Sequence, residues 1–399
     1  MTSKHQFAGK YGRVKLSEIA RIKAGNVAPK KDAFTKDGVS FVRAGSLAKL
    51  LAGESLDSLE KIDVRTARKL RLTLFPKGTV VFAKSGMSCM TGNVYVLPDP
   101  CYVVSHLACV IPNGNYTAYL KHYFRFKRPN RLIENPSFPS IKLEKIRDIE
   151  LCLPSSEVID KQVQTLEHIE DQIKQMKAQL LHFEYLVKSR FVEMFGNADS
   201  SSANFNISTI NEICSSIVRG PFGSALKKEF FIPRGVGTYK VYEQKHAIRK
   251  RADIGTYYIS KEKFDSLKRF ECKPGDILMS CSGTMGELYQ LPMNCEPGII
   301  NQALCKFTLN EKILPEYFFR FMSQVVDDLG AKGSGIKNVS SVKYIKDIKI
   351  PLPPLSLQQD FADFVHQVDK LKFETQQSIE KLQTLYDSLA QEYFAPEGD

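Results

Sequence analysis

The strongest constraint on this chain is that it repeats itself. The segment Glu144-Lys-Ile-Arg-Asp-Ile-Glu-Leu-Cys-Leu-Pro154 returns as Lys343-Tyr-Ile-Lys-Asp-Ile-Lys-Ile-Pro-Leu-Pro353, 199 residues later. Upstream, Phe75-Pro-Lys-Gly-Thr-Val-Val-Phe-Ala-Lys-Ser-Gly86 returns as Cys272-Lys-Pro-Gly-Asp-Ile-Leu-Met-Ser-Cys-Ser-Gly283, at an offset of 197. The openings match too: Val14-Lys-Leu-Ser-Glu-Ile-Ala20 against Ile207-Ser-Thr-Ile-Asn-Glu-Ile-Cys214. A duplicated unit must solve its folding problem twice with one topology. Here the unit is a globular body followed by a long helix.

The helices are written in the apolar spacing. Leu166, Ile173, Leu180 and Val187 recur every seven residues, with Met176 and Phe183 between them and Ile169 slightly out of phase. That is a coiled-coil seam of about three heptads. Ser156 is the expected N-cap and Gly196-Asn197 the expected stop. The second helix carries Phe361, Val365, Val368, Ile379, Leu382, Tyr386, Leu389 and Tyr393 on one stripe, interrupted by Lys372 and Thr375. One such helix cannot bury its stripe alone, so the two are expected to pair antiparallel. Between Gly and Pro turns, the globular bodies show short β-branched and aromatic runs. Residues 78–83, 101–104 and 108–111 are expected strands. Residues 116–128 and 314–326 are expected helices. The fold class is therefore α+β: two mixed, mostly β domains and two long α-helices.

Charge follows the same alternation. The chain has 56 Lys and Arg against 44 Asp and Glu, net +12. Residues 1–150 carry +14, residues 151–199 carry −3, residues 200–350 carry +7 and residues 351–399 carry −6. Two basic bodies between acidic helices point to two patches facing one polyanion. The nine cysteines include no Cys-x-x-Cys pair, and the N-terminal stretch has no apolar signal core. Reduced, mostly buried thiols in a cytoplasmic protein are expected, with no zinc site. No run approaches the 18 or so apolar residues of a membrane span.

At these motifs the chain resembles the specificity subunits of type I restriction–modification systems. Three segments carry the resemblance. Ile348-Lys-Ile-Pro-Leu-Pro-Pro-Leu-Ser-Leu-Gln-Gln359 is similar to the family's Pro-Leu-Pro-Pro-Leu run and following Gln, which precede a helix. Lys188-Ser-Arg-Phe-Val-Glu-Met-Phe-Gly-Asn197 closes the central helix as that family does. Pro221-Phe-Gly-Ser-Ala-Leu-Lys227 resembles a segment near the start of many target-recognition domains. The first copy departs from the pattern, with Leu151-Cys-Leu-Pro-Ser-Ser156 and a displaced Gln162.

The resemblance implies a non-catalytic chain. Residues 1–154 and 198–353 would be target-recognition domains, each reading one half of an asymmetric bipartite site in double-stranded DNA. Residues 155–197 and 354–399 would be spacer helices that dock two DNA adenine methyltransferase subunits. Endonuclease/translocase subunits would join them. S-adenosylmethionine, ATP and Mg would sit on those partners, none in this chain. A basic protein-interaction scaffold without DNA binding is the rival reading.

The chain carries little that could do chemistry. There is no Gly-x4-Gly-Lys-Ser/Thr phosphate loop. Asn135-Pro-Ser-Phe138 approaches a methyltransferase tetrad, but lacks its second Pro and a Gly-rich donor site. Glu243-Gln-Lys245 has nuclease spacing without an acidic partner. His106, in an apolar run, is expected to be a core residue. Readout needs Arg, Lys, Asn, Ser or Thr at base edges and cations at phosphates, carried on loops beside strands. The first domain offers Lys84, Ser85 and Ser88, then Arg43 and Ser46. The second offers Ser282 and Thr284, Tyr242 and Lys245, and Arg219 and Ser224. The segment holding Lys332, Lys337 and Asn338 is the expected backbone nest for phosphate.

Overall fold

The computed structural model describes residues 12–196, 205–331 and 342–395, with backbone alone at 328–331. The chain forms two compact units, Met1–Lys177 with Gln377–Asp399, and Ala178–Gln376. Each therefore holds half of the central helix, Ser156–Phe195, and half of the C-terminal helix, Leu355–Phe394.

The first unit contains strands β1 (Arg13–Lys15), β2 (Ala20–Ala24), β3 (Val39–Val42), β4 (Lys61–Ile62), β5 (Leu74–Phe75), β6 (Val80–Ala83), β7 (Val94–Val96), β8 (Cys101–Val103), β9 (Leu107–Pro112) and β10 (Glu150–Cys152). They make an antiparallel sheet of order β2-β9-β6-β7, a mixed sheet of order β4-β3-β8-β5, and the pair β1-β10. The second unit contains β11 (Asn206–Thr209), β12 (Cys214–Arg219), β13 (Tyr239–Tyr242), β14 (Tyr258–Ile259), β15 (Glu271–Cys272), β16 (Ile277–Ser280), β17 (Leu288–Gln290), β18 (Gly298–Ile300), β19 (Leu304–Leu309) and β20 (Lys349–Leu352). Their orders are β12-β19-β16-β17, β14-β13-β18-β15 and β11-β20. The repeat in the sequence is thus a repeat of topology, down to a parallel strand pairing in each unit, β3 with β8 and β13 with β18.

Shared local chemistry explains the shared fold. Gly78 and Gly275 sit at φ +83° and +84°, which a side chain would strain. Each closes a turn in which the next N–H donates back three residues, Thr79 to Pro76 and Asp276 to Lys273. Gly25 and Gly220 answer a different need. A Cβ on either would lie 2.2 Å from the Val104 carbonyl oxygen or 1.9 Å from that of Asn301. No other residue lets the end of β2 or β12 come so close to the neighbouring sheet.

The helix Thr117–Lys127 covers the first unit's sheet and Pro315–Ala331 the second's. On the second unit's helix sits an aromatic cluster in which Phe195 and Phe361 approach Tyr317 and Phe191 at 4.8 to 5.4 Å. In the first unit Phe394 takes this role, 5.3 Å from Tyr119 and 5.9 Å from Tyr123. Gln358 of the Leu-Gln-Gln motif is fully buried. Its amide donates to the Lys312 and Pro353 carbonyls, and its oxygen accepts from the Leu314 N–H.

The long helices run antiparallel within each unit. In the first, Thr165 meets Tyr393 and Glu170 meets Tyr386. In the second, Glu184 pairs with Lys372 at 2.7 Å and Phe195 meets Phe361 edge to face at 5.6 Å. As one index climbs the other falls. Leu166, Ile169 and Ile173 are buried, whereas Leu180 and Val187 are half-buried. The polar break at Lys372 is satisfied by that ion pair. The helix begins one residue earlier in its capping than the sequence implies: the Ser155 carbonyl, not Ser156, accepts from Val158 and Ile159. Gly196, at φ +81°, ends it as expected; Asn197 lies outside the described residues. All nine cysteines are free and six are buried.

Candidate nucleic-acid interface

One rim collects the first unit's loops. Strands β2, β3, β6 and β8 all end there, and β9 begins there. The parallel pairing of β3 with β8 puts residue 43 beside residue 104, as the Val104 N–H donates to the Val42 carbonyl at 2.9 Å. A bridge joins Asn26 to Val104, and the Lys84 N–H donates to the His106 carbonyl. The two loops singled out from the sequence, at 43–46 and 84–88, are therefore neighbours in space.

Their side chains differ in freedom. Arg43 donates from Nε to Glu60 at 2.7 Å and lies over the Phe34 and Phe41 rings at 5.1 and 5.5 Å, so its guanidinium is held in place. Ser46 opens a short helix and its N–H donates to the Arg43 carbonyl. Lys84 makes no ion pair among the described residues. Ser85 Oγ is 2.8 Å from His106 Nδ1. The Ser88 side chain is half-buried and its carbonyl accepts from Thr91.

His106 is a correction. It is exposed, because the apolar run is two strands, β8 and β9, and Ser105-His106 is the turn between them. The sequence reading also missed Asn26. Its side chain clasps the Thr73 backbone, accepting from the N–H at 2.6 Å and donating to the carbonyl at 2.9 Å. That fixes to the rim the segment after Arg68, Lys69 and Arg71, which are exposed and make no ion pair among the described residues. The signal was present as Gly25-Asn26 directly after a strand.

The second unit builds the corresponding rim. The Asn301 N–H donates to the Tyr242 carbonyl, Cys281 to Ala303 and Gly220 to Leu304. Arg219 donates to the Gln302 carbonyl at 3.3 Å and the Cys281 carbonyl at 3.4 Å, and lies 5.3 Å from the Phe222 ring. Gln244 bridges two loops, donating to the Ser282 carbonyl and, at 3.2 Å, to that of Thr284; Ser282 Oγ donates back at 3.4 Å. Thr284 and Ser224 are exposed. Lys245 pairs with Glu243 at 2.5 Å and stands over Tyr257.

Tyr242 does not belong to a reading surface. It is fully buried, and its hydroxyl donates to the Glu296 carbonyl at 2.6 Å. As the last residue of β13 its side chain turns into the core, and burial pushes its hydroxyl pKa up. Lys332, Lys337 and Asn338 lie outside the described residues. Among the described residues no group of His, Cys, Asp and Glu could hold a metal ion, and no helix is long and apolar enough to cross a membrane. Glu243-Gln-Lys245 caps a short helix, with the Glu243 N–H donating to His246 Nδ1.

The sequence model of the family described as type I restriction modification DNA specificity domain matches residues 9–182 and again residues 203–384. The chain belongs to this family. The two matches coincide with the two copies of the fold. The type I restriction enzyme MjaIX specificity subunit of Methanocaldococcus jannaschii is 22% identical over 152 residues; the match spans 37% of this chain and 34% of that protein, about a third of its length. A chain from a structural study of complex assembly and conformational transition of the type I R-M system covers 98% of this chain and 98% of its own, with TM-score 0.64 and 16% identity. The S subunit of a type I restriction-modification system from M. genitalium covers 100% of both chains, with TM-score 0.52 and 13% identity. These likenesses show a specificity-subunit fold. In this chain the two matched rims carry loops of unlike sequence on like scaffolds.

Proposed function

We propose that this specificity subunit reads double-stranded DNA, with each sheet-rich domain taking one half of an asymmetric bipartite site through its rim of loops. The observation that carries the reading is the rim itself. One topology is built twice, and each copy gathers strand ends, cations and hydroxyl groups on a single edge, with different residues in each. A conserved frame with unlike loops is what two different half-sites require. Family membership and the basic charge of both domains support it.

The paired helices act as the spacer and dock two DNA adenine methyltransferase subunits, and endonuclease/translocase subunits complete the restriction complex. The chain itself performs no chemistry: S-adenosylmethionine, ATP and Mg belong to those partners. Methylome sequencing of cells carrying the full system tests the reading. A bipartite motif with unlike halves is expected, and a palindrome refutes the asymmetry. With the purified chain, duplex affinity falls steeply as salt rises, because bound counterions are released. Salt-independent affinity, or binding to acidic proteins alone, favours the scaffold reading.

A further inference from the structure

The first unit's rim holds a feature that phosphate binding does not use. Residues 84–86 and 139–141 pair as a short antiparallel ladder. Ser85 bridges Ser140, the Gly86 N–H donates to the Pro139 carbonyl at 3.1 Å, and the Ile141 N–H donates to the Lys84 carbonyl at 2.7 Å. The bridge ends there: Met87, after Gly86, opens a short 3-10 helix, and Phe138 precedes Pro139, so both flank the same end of the bridge. Met87 is 76% exposed and Phe138 is 80% exposed. Single exposed apolar residues are ordinary, but two flanking one end of the same bridge call for an occupant.

Phe138 is held by its own turn. Asn135 Oδ1 accepts from the Ser137 N–H at 3.0 Å, and the Asn135 carbonyl accepts from the Phe138 N–H at 3.2 Å. Phe138 thus stands at the tip of a locked turn, and little entropy remains to be lost when it is covered. Its surroundings are cationic and polar: Lys84, Ser85 and His106 share the same ladder and turn. An apolar protein groove would not favour that border; a nucleic-acid groove would, with phosphates for the cation and a base step for the ring.

We propose that Phe138, backed by Met87, is an apolar wedge that enters a base step of the half-site read by the first unit and partly unstacks it. The inference rests on the DNA reading above. Apolar side chains of this kind unstack base steps and bend the duplex, at a cost that depends on the step being opened. The wedge therefore contributes specificity without a hydrogen bond, and favours a flexible pyrimidine–purine step at that position.

The test uses the full chain alone, without methyltransferase subunits, on its cognate duplex. 2-Aminopurine is scanned through the first half-site at positions other than the methylated adenine. The wild-type chain is expected to brighten the probe at one step. Phe138→Ala should abolish that signal and weaken binding about tenfold, within the range a base-stacking aromatic loses on truncation. Its salt slope should stay unchanged, and Phe138→Leu should restore part of the signal. Lys84→Ala should do the reverse, lowering affinity and slope while keeping the signal. If the wild-type chain binds with the expected salt slope but Phe138→Ala behaves identically, the wedge is wrong and the DNA reading stands. If the wild-type chain binds no duplex, the DNA reading itself falls. A Phe138→Ala defect seen only in binding another protein would also overturn the wedge.

Discussion

The buried ion pair of the second unit offers a test of how far the two copies are interchangeable. Asp276 is 1% exposed and Lys306 is 6% exposed. The carboxylate accepts from Lys306 Nζ at 3.0 Å, from Thr308 Oγ1 at 2.5 Å and from the Lys273 N–H at 2.8 Å. The first unit has neither charge. Strand register places Thr79 where Asp276 stands and Cys109 where Lys306 stands, since Val81 pairs with Cys109 as Leu278 pairs with Lys306. Removing one partner strands the other charge in the core, which costs about 3–5 kcal/mol. Replacing both with groups that fit is often neutral. Asp276→Thr alone should therefore destabilise the second unit by about 3–5 kcal/mol. For a unit of this size that lowers its melting temperature by roughly 6–20 °C. The double variant Asp276→Thr with Lys306→Cys should recover most of the loss. Scanning calorimetry of the full chain reads both. A double variant no more stable than Asp276→Thr alone would refute the claim that the first unit's uncharged solution fits the second unit's sheet.

Further outcomes follow from other residues. Burial, with a smaller contribution from Lys121, holds His122 at a pKa of about 3 against the ordinary 6.5, while Glu170 partly opposes the shift. The folded state keeps it neutral and the unfolded state takes up a proton. Its contribution is thus complete above pH 6.5 and is lost as pH falls toward 3. The first unit's melting temperature should drop between pH 7 and pH 4, and less so in His122→Gln, as thermal scans at each pH would reveal. Tyr242→Phe should leave DNA affinity unchanged while costing roughly 1 kcal/mol of stability, the worth of one hydrogen bond; a filter-binding assay and urea unfolding separate the two. Arg68→Ala with Arg71→Ala should lower affinity on all duplexes and reduce the slope of log affinity against log salt by up to roughly 2. An unchanged slope in a salt titration would remove that segment from the interface.

Particular residues show where sequence reasoning succeeds. The seven-residue apolar recurrence, the Pro-Lys-Gly turn and the Gly196 stop all depend on contacts within a few positions, and each is realised. Phe195 and Phe394 are legible only through the offset between the copies. His106 and Tyr242 failed for opposite reasons. An apolar run hid a turn, and a polar loop began one residue after a strand whose last side chain faces inward.

What the amino-acid order determined alone is the duplicated architecture, the helical pair and the sign of the charge on each domain. Periodicity and turn chemistry are local, and a repeat preserves them twice. Which loops share a rim was decided only in three dimensions. It depends on β3 lying parallel to β8 and β13 to β18, across about 60 residues of chain. Such pairings are chosen by the packing of whole sheets, and no short stretch of residues carries that information.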